Sequence, residues 1–513
     1  MGTASTLTAS IVGVDAHIIN VECDISLATS YFSIVGLPDN EVKESRERVT
    51  SAINNSVGEF PIARVIVNLS PANIKKQGTG FDLPIAISII ASNNMINKER
   101  LRNVLVVGEL SLEGHLKEIP GILSIAIEAA KQGVPYIIVP QENAEEASLV
   151  DGIRVFSAAN LQELFNAFTD RGKLTEHPHN LPKIEVDQLE NLDFSDVKGH
   201  QKAKRALEIA AAGGHNLLFC GSPGSGKTML AKRLVSILPS LGTLEMLDVT
   251  RIHSVTGKSG KKNDNRWKRP FREPHHSISN AGLIGGGTFP KPGEVSLAHK
   301  GVLFLDELPE FSRSTLELLR QPIEDKWVHI ARANMTLSFP ADFQLIAAMN
   351  PCPCGFYGDR RKKCKCSIPQ IKKYLAKLSG PLLDRIDIQI ELPNLNYEEM
   401  NFMEKGESSN DIRKRVIRAR QTQTERFGEK GGTRTNNDMV HKELEIYCAR
   451  CEEGHKLLST AMKKNSFSNR VHDRLLKIAR TIADLAGVEK ITPEHIAEAI
   501  NYRQLETSHS FDI

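Results

Sequence analysis

The chain has 513 residues, with 65 lysines and arginines against 62 aspartates and glutamates, and a formal net charge of +3 at pH 7. This length is too great for one hydrophobic core, so we expect several domains. The near-neutral charge excludes a uniformly basic nucleic-acid surface. No apolar run is long enough for a membrane span, so we expect no membrane partner.

The first 170 residues alternate short apolar runs with helix-forming runs. The apolar runs include residues 63–69, 104–107 and 136–139, and the helix-forming runs include 84–91 and 124–132. This alternation predicts an α/β or α+β domain over residues 1–170. Residues 171–192 carry two prolines and few apolar side chains, which predicts a linker.

The remainder of the chain divides into two parts. Residues 193–392 contain the motifs described below and predict an α/β core, while residues 393–513 are helical by period and composition. Near the end, Thr492 followed by Pro493 predicts the start of a helix, because threonine caps well and proline is favoured at the first helical position.

A phosphate-binding motif begins the central part. Its G-x-x-x-x-G-K-[ST] pattern consists of Gly221, Ser222, Pro223, Gly224, Ser225, Gly226, Lys227 and Thr228. An apolar run precedes it and a helix-forming run follows, which is the context that the motif requires. The glycines let backbone N–H groups turn toward phosphates at a helix N-terminus. Lys227 would reach the β- and γ-phosphates of ATP, and the Thr228 hydroxyl would bind Mg²⁺.

Two later apolar runs end on polar residues. Residues 301–305 lead into Asp306 and Glu307, and residues 343–349 lead into Asn350. Asp306 would hold Mg²⁺ through water, and Glu307 would polarise the attacking water. An amide at the tip of the third strand can position that water against the γ-phosphate. Together with the phosphate-binding motif, these residues predict ATP hydrolysis.

Four of the eight cysteines cluster in a C-x-C-x₉-C-x-C pattern, formed by Cys352, Cys354, Cys364 and Cys366. Four thiolates in two close pairs suit one tetrahedral Zn²⁺, and free or redox-active thiols are the alternative. The segment between the pairs contains aromatic and basic residues, namely Phe356, Tyr357, Arg360, Arg361, Lys362 and Lys363. Such a mixture predicts stacking and phosphate contacts with DNA, although a solvated loop would have the same composition.

The motor motifs resemble those of the AAA+ ATPases, in which Asn350 would be the first sensor. Residues 380–387 resemble the arginine-finger segment of the branch that includes magnesium chelatase and the minichromosome-maintenance helicases. The resemblance implies that Arg385 enters the site of a neighbouring subunit and that Arg470 is the second sensor. A structural Asp–Arg pair and a solvated helix cation are the respective alternatives.

Two further segments resemble pore elements of the same branch. The glycine- and proline-rich residues 272–300 resemble its helix-2 insert. Residues 327–339 predict a hairpin that turns at Ala333 and Asn334, and they resemble the hairpin before the first sensor. In related rings both hairpins point into the pore, so Lys291 and Arg332 are candidate phosphate contacts. Each could also be an ordinary surface cation.

Segments along almost the whole chain resemble the ComM/YifB-type magnesium-chelatase-like AAA+ family. They are residues 32–39, 44–48, 68–71, 274–276, 292–294 and 350–355. The resemblance implies a cytoplasmic homohexamer, assembled with ATP and DNA, that drives branch migration of recombination intermediates during natural transformation. Its partner would be branched or single-stranded DNA. A magnesium-chelatase-like remodelling subunit without DNA activity shares the core motifs and remains the alternative.

The N-terminal domain resembles the proteolytic domain of Lon over residues 76–82 and 108–125. Lon proteases use a Ser–Lys pair, and the resemblance places Gly80 and Ile125 at those two positions. Neither residue can supply a nucleophile or a base. We therefore expect a Lon-like domain without protease activity.

Overall fold

The computed structural model describes residues 2–181, 192–257, 267–287, 290–332, 335–359, 361–394, 405–428, 434–464 and 467–503. The chain forms two compact units. The first comprises residues 1–184 together with 246–266, and the second comprises residues 185–245 and 267–513. The break near residue 184 falls inside the predicted linker. Residues 246–266 come from the region predicted as the α/β core but cluster with the first unit.

The first unit is built on a mixed sheet and a small hairpin. Its strands are β1 (Ala4–Val12), β2 (Asp15–Ser26), β3 (Tyr31–Val35), β4 (Arg64–Ser70), β5 (Val104–Val106), β6 (Glu109–Leu110), β7 (Leu116–Lys117), β8 (Tyr136–Pro140), β9 (Arg154–Ala158) and β10 (Thr175–His177). The eight-stranded sheet has the order β10-β9-β8-β5-β1-β2-β4-β3, and β6 pairs with β7. The β1–β2, β2–β4 and β9–β10 pairs are antiparallel, and the other pairs in the large sheet are parallel.

Helices cover both faces of this sheet. They are α1 (Asn40–Ser56), α2 (Asp82–Ser92), α3 (Ile122–Lys131), α4 (Ala144–Ala147) and α5 (Leu161–Phe168). Val104 and Val106 pack in the core that contains α1 and α2, whereas Leu105 and Ile137 pack in the core that contains α3. Since side chains alternate across a strand, a strand covered on both faces is apolar at every position. This burial explains the continuous apolar runs and confirms the mixed α/β prediction.

The predicted linker begins with a strand. Residues Thr175–His177 pair antiparallel with β9 at one edge of the large sheet. Arg154 and Glu176 form an ion pair across these strands at 2.8 Å. The prediction of a linker is therefore wrong for these three residues, because pairing with a sheet edge gives order to a segment that has little apolar content. Residues 182–191 lie outside the described chain.

The second unit contains a sheet of five parallel strands and two hairpins. Its strands are β11 (Leu217–Gly221), β12 (Phe271–Arg272), β13 (Gly285–Gly286), β14 (Lys291–Pro292), β15 (Val302–Leu305), β16 (Trp327–Arg332), β17 (Met335–Pro340), β18 (Gln344–Met349) and β19 (Ile388–Leu392). The sheet order is β12-β15-β18-β11-β19. Strand β11 lies between β18 and β19, at the point where the winding of the sheet reverses. In parallel sheets such a point opens a ligand crevice at the carboxyl ends of the strands.

In the rest of the described chain, the α-helices are α6 (Gln201–Gly213), α7 (Lys227–Ile237), α8 (Thr243–Val255), α9 (Asn280–Ile284), α10 (Glu294–Leu297), α11 (Arg313–Leu318), α12 (Arg320–Asp325), α13 (Ile368–Leu375), α14 (Gly380–Leu383), α15 (Ser409–Phe427), α16 (His441–Tyr447), α17 (Glu452–Lys464), α18 (Asn469–Ala486) and α19 (Pro493–Asn501). The helix predicted after Thr492 is confirmed. Helix α6 is buried among the sheet strands and α15, α18 and α19 in one shared core. Within the described residues, no helix combines the length and apolar character needed to cross a membrane.

A buried polar junction joins the sheet to the C-terminal helices. Asp387 is fully buried, accepts a hydrogen bond from the backbone N–H of Asn216 at 2.8 Å, and pairs with Arg474 of α18. His215 lies beside it, with Nδ1 3.9 Å from an Asp387 oxygen and Nε2 2.8 Å from the Thr481 hydroxyl. Burial lowers the pKa of His215 to about 4. The junction therefore holds a neutral histidine next to a paired carboxylate.

We expect His215 to make folding stability depend on pH. Its pKa falls from 6.5 in the unfolded chain to about 4 in the folded protein. Its contribution is complete above pH 6.5 and is lost as the pH falls toward 4, up to about 3 kcal/mol. His215→Gln cannot titrate, so urea unfolding at pH 7 and pH 5 should show a smaller pH dependence than the wild type. His441→Gln, at a histidine whose side chain is 75% exposed, is the control. An unchanged pH dependence in His215→Gln would contradict the assignment.

Candidate nucleotide-binding site

The phosphate-binding loop joins the end of β11 to the start of α7. Gly224 and Gly226 have φ angles of 79° and 86°, a region that side-chain-bearing residues rarely adopt. At Gly221, a Cβ atom would lie 2.6 Å from the carbonyl oxygen of Leu392 on β19, so the strand spacing also requires glycine. The loop leads into the N-terminus of the 11-residue helix α7, where the helix dipole favours anions.

The lysine of the loop is folded back over it. Lys227 Nζ donates to the carbonyl oxygens of Gly221 and Ser222 at 2.6 and 3.0 Å, and to Asn350 Oδ1 at 3.2 Å. Burial lowers the pKa of Lys227 because the charged ammonium loses water, and the nearby Asp306 and Glu307 carboxylates offset part of this effect. A phosphate oxygen is a stronger acceptor for an ammonium group than a carbonyl oxygen. The geometry therefore suits an exchange of these contacts for a bound triphosphate.

The threonine of the loop meets the acidic end of β15. Thr228 Oγ1 donates to Asp306 Oδ2 at 2.6 Å, and the backbone N–H of Glu307 donates to Asp306 Oδ1 at 2.8 Å. A hydroxyl and a carboxylate oxygen at this spacing are ligands that Mg²⁺ takes in nucleotide sites. These two residues would hold the ion, which neutralises charge on the β- and γ-phosphates when it is bound.

The second acid of the pair has an unusual conformation and an unexpected neighbour. Glu307 has φ 51° and ψ 46°, and non-glycine residues in this left-handed region concentrate at functional sites. Its carboxylate lies 3.5 Å from Nδ1 of His276, whose ring contacts His275 at a centroid distance of 4.1 Å. Sequence reasoning missed His276 as a site residue. The sequence signal for it is the pair His275–His276, which begins three residues after the edge strand β12, but nothing local connects that pair to Glu307.

Five predicted residues thus meet at the carboxyl ends of three adjacent strands. Lys227 and Thr228 follow β11, Asp306 and Glu307 follow β15, and Asn350 follows β18. Parallel neighbours end at one edge of a sheet, so residues far apart in sequence come together there.

The two predicted arginines occupy different environments. The side chain of Arg385 is only 6% exposed, forms an ion pair with Glu324 at 2.6 Å and donates to the carbonyl oxygen of Pro381 at 2.6 Å. These described contacts do not reach the phosphate-binding loop of the same chain. Arg470 is exposed in the first turn of α18. Neither arginine is brought to Lys227 by the contacts of the described chain.

The four clustered cysteines converge. Their Sγ atoms lie within 4.8 Å of one another, and the Cys352, Cys354 and Cys364 sulfurs are separated by 3.4 to 3.6 Å. In the described chain, none of these four cysteines forms a disulfide bond. Tetrahedral zinc with Zn–S bonds of about 2.3 Å needs sulfur separations of about 3.8 Å. The donor set and its spacing therefore fit one zinc ion.

The two hairpins predicted to contact DNA pack against each other. A Cβ atom on Gly285 would lie 3.0 Å from the Ile330 side chain, and one on Gly286 would lie 3.6 Å from an Arg332 nitrogen. Gly286 is the cross-strand partner of Lys291. Lys291 and Arg332 therefore lie on adjoining hairpins. The turn residues 288, 289, 333 and 334 lie outside the described chain.

The remaining DNA candidates belong to the cysteine loop, residues 352–366. Phe356 and Tyr357 are half-buried, and the Lys362 ammonium lies 4.3 Å from the centre of the Phe356 ring. The side chains of Arg361, Lys362 and Lys363 are exposed. Arg360 lies outside the described residues. The candidates therefore form two groups, one on the hairpins and one on the cysteine loop.

Three family models match the chain in succession. The model described as subunit ChlI of Mg-chelatase matches residues 21–143, that of magnesium chelatase subunit ChlI matches 193–400, and that of the ChlI C-terminal part matches 406–503. The candidate site lies within the second of these matches, residues 193–400.

Full-length relatives agree with these matches. The chain is 42% identical to the competence protein ComM of Haemophilus influenzae over 98% of each protein. It is also 42% identical to protein YifB of Salmonella typhimurium, over 99% of this chain and 98% of that protein. The magnesium-chelatase 67 kDa subunit of Chlorobaculum parvum is 29% identical over 31% of this chain. The chain therefore belongs to the ComM/YifB family of magnesium-chelatase-like AAA+ proteins.

Proposed function

We propose that this protein is an ATP-hydrolysing ring motor that moves branch points in recombining DNA. The observation that carries the proposal is the contact between Thr228 and Asp306 beside Lys227, at the carboxyl ends of a parallel sheet. With Mg²⁺ and ATP bound, Lys227 would hold the phosphates and Glu307 would polarise the attacking water. Asn350 would orient that water from the neighbouring strand.

The choice of DNA as substrate is supported by the relatives and by local chemistry. One full-length relative is named a competence protein, and we extend an association with natural transformation to this chain. The adjoining hairpins offer Lys291 and Arg332, and the cysteine loop offers exposed cations beside half-buried aromatic rings. Cations that track phosphates and rings that stack on bases together bind single strands with little sequence preference.

The remaining parts of the chain receive supporting roles in this proposal. The first unit would be a Lon-like domain without protease chemistry, since Gly80 lacks a side chain and Ile125 is buried and apolar. The C-terminal helices would form a lid that carries Arg470, and they already share a core with α6 and α7. The protein would act in the cytoplasm as a homohexamer that ATP and DNA help to assemble.

DNA with a four-way junction should stimulate ATP turnover at low salt, and branch migration should separate it into two duplexes. Lys227→Ala should abolish both, because the phosphates lose their main cationic partner. Lys202→Ala, at an exposed lysine on α6, is the matched control and should behave as the wild type. ATP turnover that ignores junction DNA would instead favour a magnesium-chelatase-like remodelling subunit.

Arg385 should act on the ATP of a neighbouring subunit. Arg385→Ala is expected to bind ATP but to lose turnover by a factor on the order of 10³ to 10⁵. Glu307→Gln should also be inactive, and Arg418→Ala, at an exposed arginine, should be fully active.

Mixing the two inactive variants distinguishes an active site formed by two subunits from one formed within a single subunit. Some interfaces in a mixed ring combine an intact Glu307 with an intact Arg385 from the next subunit, so activity should return. Mixtures that stay inactive would contradict a finger acting between subunits.

We also propose that the four clustered cysteines hold zinc. Elemental analysis of purified protein should find about one zinc per chain. Cys364→Ser with Cys366→Ser should lose the metal, whereas Cys451→Ser, at an exposed cysteine elsewhere, should retain it. Protein with four titratable thiols and no metal would favour the free-thiol alternative.

A further inference from the structure

The cysteine loop lies directly against the phosphate-binding loop. Gly355 has φ 82°, and a Cβ atom there would lie 2.5 Å from Cδ and 2.7 Å from Cγ of Pro223. Glycine is therefore needed at Gly355 both for the backbone conformation and for the close approach. The loop thus packs on the segment that would surround the phosphates.

A buried carboxylate ties the two loops together. The side chain of Asp359 is 3% exposed and lies beside the side chain of Ser222 in the phosphate-binding loop, whose hydroxyl helps to stabilise the carboxylate. It also accepts from the backbone N–H groups of Arg361 and Lys362 at 2.7 and 3.3 Å, and from Asn394 Nδ2 at 2.7 Å. These donors, with the Arg361 N–H foremost, lower the pKa of Asp359 to about 2. Asp359 is therefore ionised at neutral pH and fully engaged.

The chain on either side of Asp359 is held by the cysteines. Cys352 lies two residues after Asn350, which accepts a hydrogen bond from Lys227. Cys364 brings the far end of the loop back to Cys352, with sulfurs 3.6 Å apart. A metal bound by all four thiolates would close the loop on itself and restrict where Asp359 can lie, much as a cross-link does.

We propose that the cysteine loop positions the phosphate-binding loop through Asp359, so that metal occupancy and nucleotide affinity are coupled. The inference rests on the proposed ATP and zinc sites and adds a link between them. Asp359 is a positioning residue. It holds Ser222, and the contact of Gly355 with Pro223 holds the next residue, so the first part of the phosphate-binding loop is fixed. Coupling of this kind is reciprocal, so nucleotide should also slow the loss of the metal.

The test measures equilibrium binding of a fluorescent, non-hydrolysable ATP analogue without DNA, using the full-length chain. Asp359→Asn should weaken binding about tenfold, the effect expected from a lost charge-assisted hydrogen bond. Lys365→Ala, at an exposed residue of the same loop, should bind within about twofold of the wild type, as substitutions at exposed sites usually do. Zinc content measured on the same samples should be equal in all three proteins.

Coupling is tested by a double-mutant cycle. Removing the metal with Cys364→Ser and Cys366→Ser should weaken analogue binding in the wild-type background, and should add little once Asp359→Asn is present. As a measurement that needs no variant, the analogue should slow zinc transfer from wild-type protein to a chromogenic chelator.

Several outcomes are distinguishable. Wild-type affinity in zinc-loaded Asp359→Asn would overturn the positioning role, and additive effects in the cycle or an unchanged transfer rate would overturn the coupling. Wild-type protein without zinc would refute the metal site and the coupling, while the Asp359→Asn measurement would still test the contact between loops. Lack of analogue binding by the wild type would instead refute the proposed ATP site.

Discussion

The burial of β11 between two parallel neighbours is the constraint on which the candidate site depends. All five residues of Leu217–Gly221 are buried, and the strand pairs with β18 on one side and β19 on the other. The side chains of such a strand are buried on both faces, so only the residues that follow its end are available to bind a ligand. The phosphate-binding loop, the acids after β15 and the amide after β18 consequently meet at one edge.

A buried ion pair connects this sheet to the C-terminal helices of the second unit. Asp387 lies two residues after Arg385, and its partner Arg474 lies one helical turn after Arg470. The proposed arginine finger and the proposed second sensor therefore adjoin one buried ion pair, whose Asp387 carboxylate also accepts from the backbone N–H of Asn216, just before β11. Breaking a buried pair by removing one partner costs about 3–5 kcal/mol, so the elements joined there are held firmly.

The loops at the site make two kinds of contact: contacts within the protein that stay fixed, and contacts that a bound nucleotide could replace. Asp359 accepts hydrogen bonds from Arg361, Lys362 and Asn394, and its side chain is nearly inaccessible to solvent. Lys227 and Arg385 hold partners that a phosphate group could replace, namely neutral oxygens and the Glu324 carboxylate. Functional residues on loops work in this way when a rigid scaffold sets the loop positions. The cysteine loop packs against the phosphate-binding loop where Gly355 meets Pro223, and its composition also favours the proposed DNA contact.

Local patterns predicted much of the fold and most of the candidate site. The phosphate-binding motif, the apolar strands before Asp306 and Asn350, the hairpin of β16 and β17 and the helix after Thr492 all have short-range signals. The four cysteines were also predicted to converge, because paired thiols at this spacing have few other uses.

The amino-acid sequence by itself therefore determined which residues are chemically equipped to act and which local elements carry them. Only the tertiary structure decided which of them touch: His276 with Glu307, Arg385 with Glu324, Asp359 with Ser222, and β10 with the sheet edge. The physical reason is that these contacts join residues that are far apart in the chain, from 18 positions between Ser157 and Thr175 to 137 between Ser222 and Asp359. Their partners are chosen by the packing of the sheet and its loops, which no local periodicity encodes.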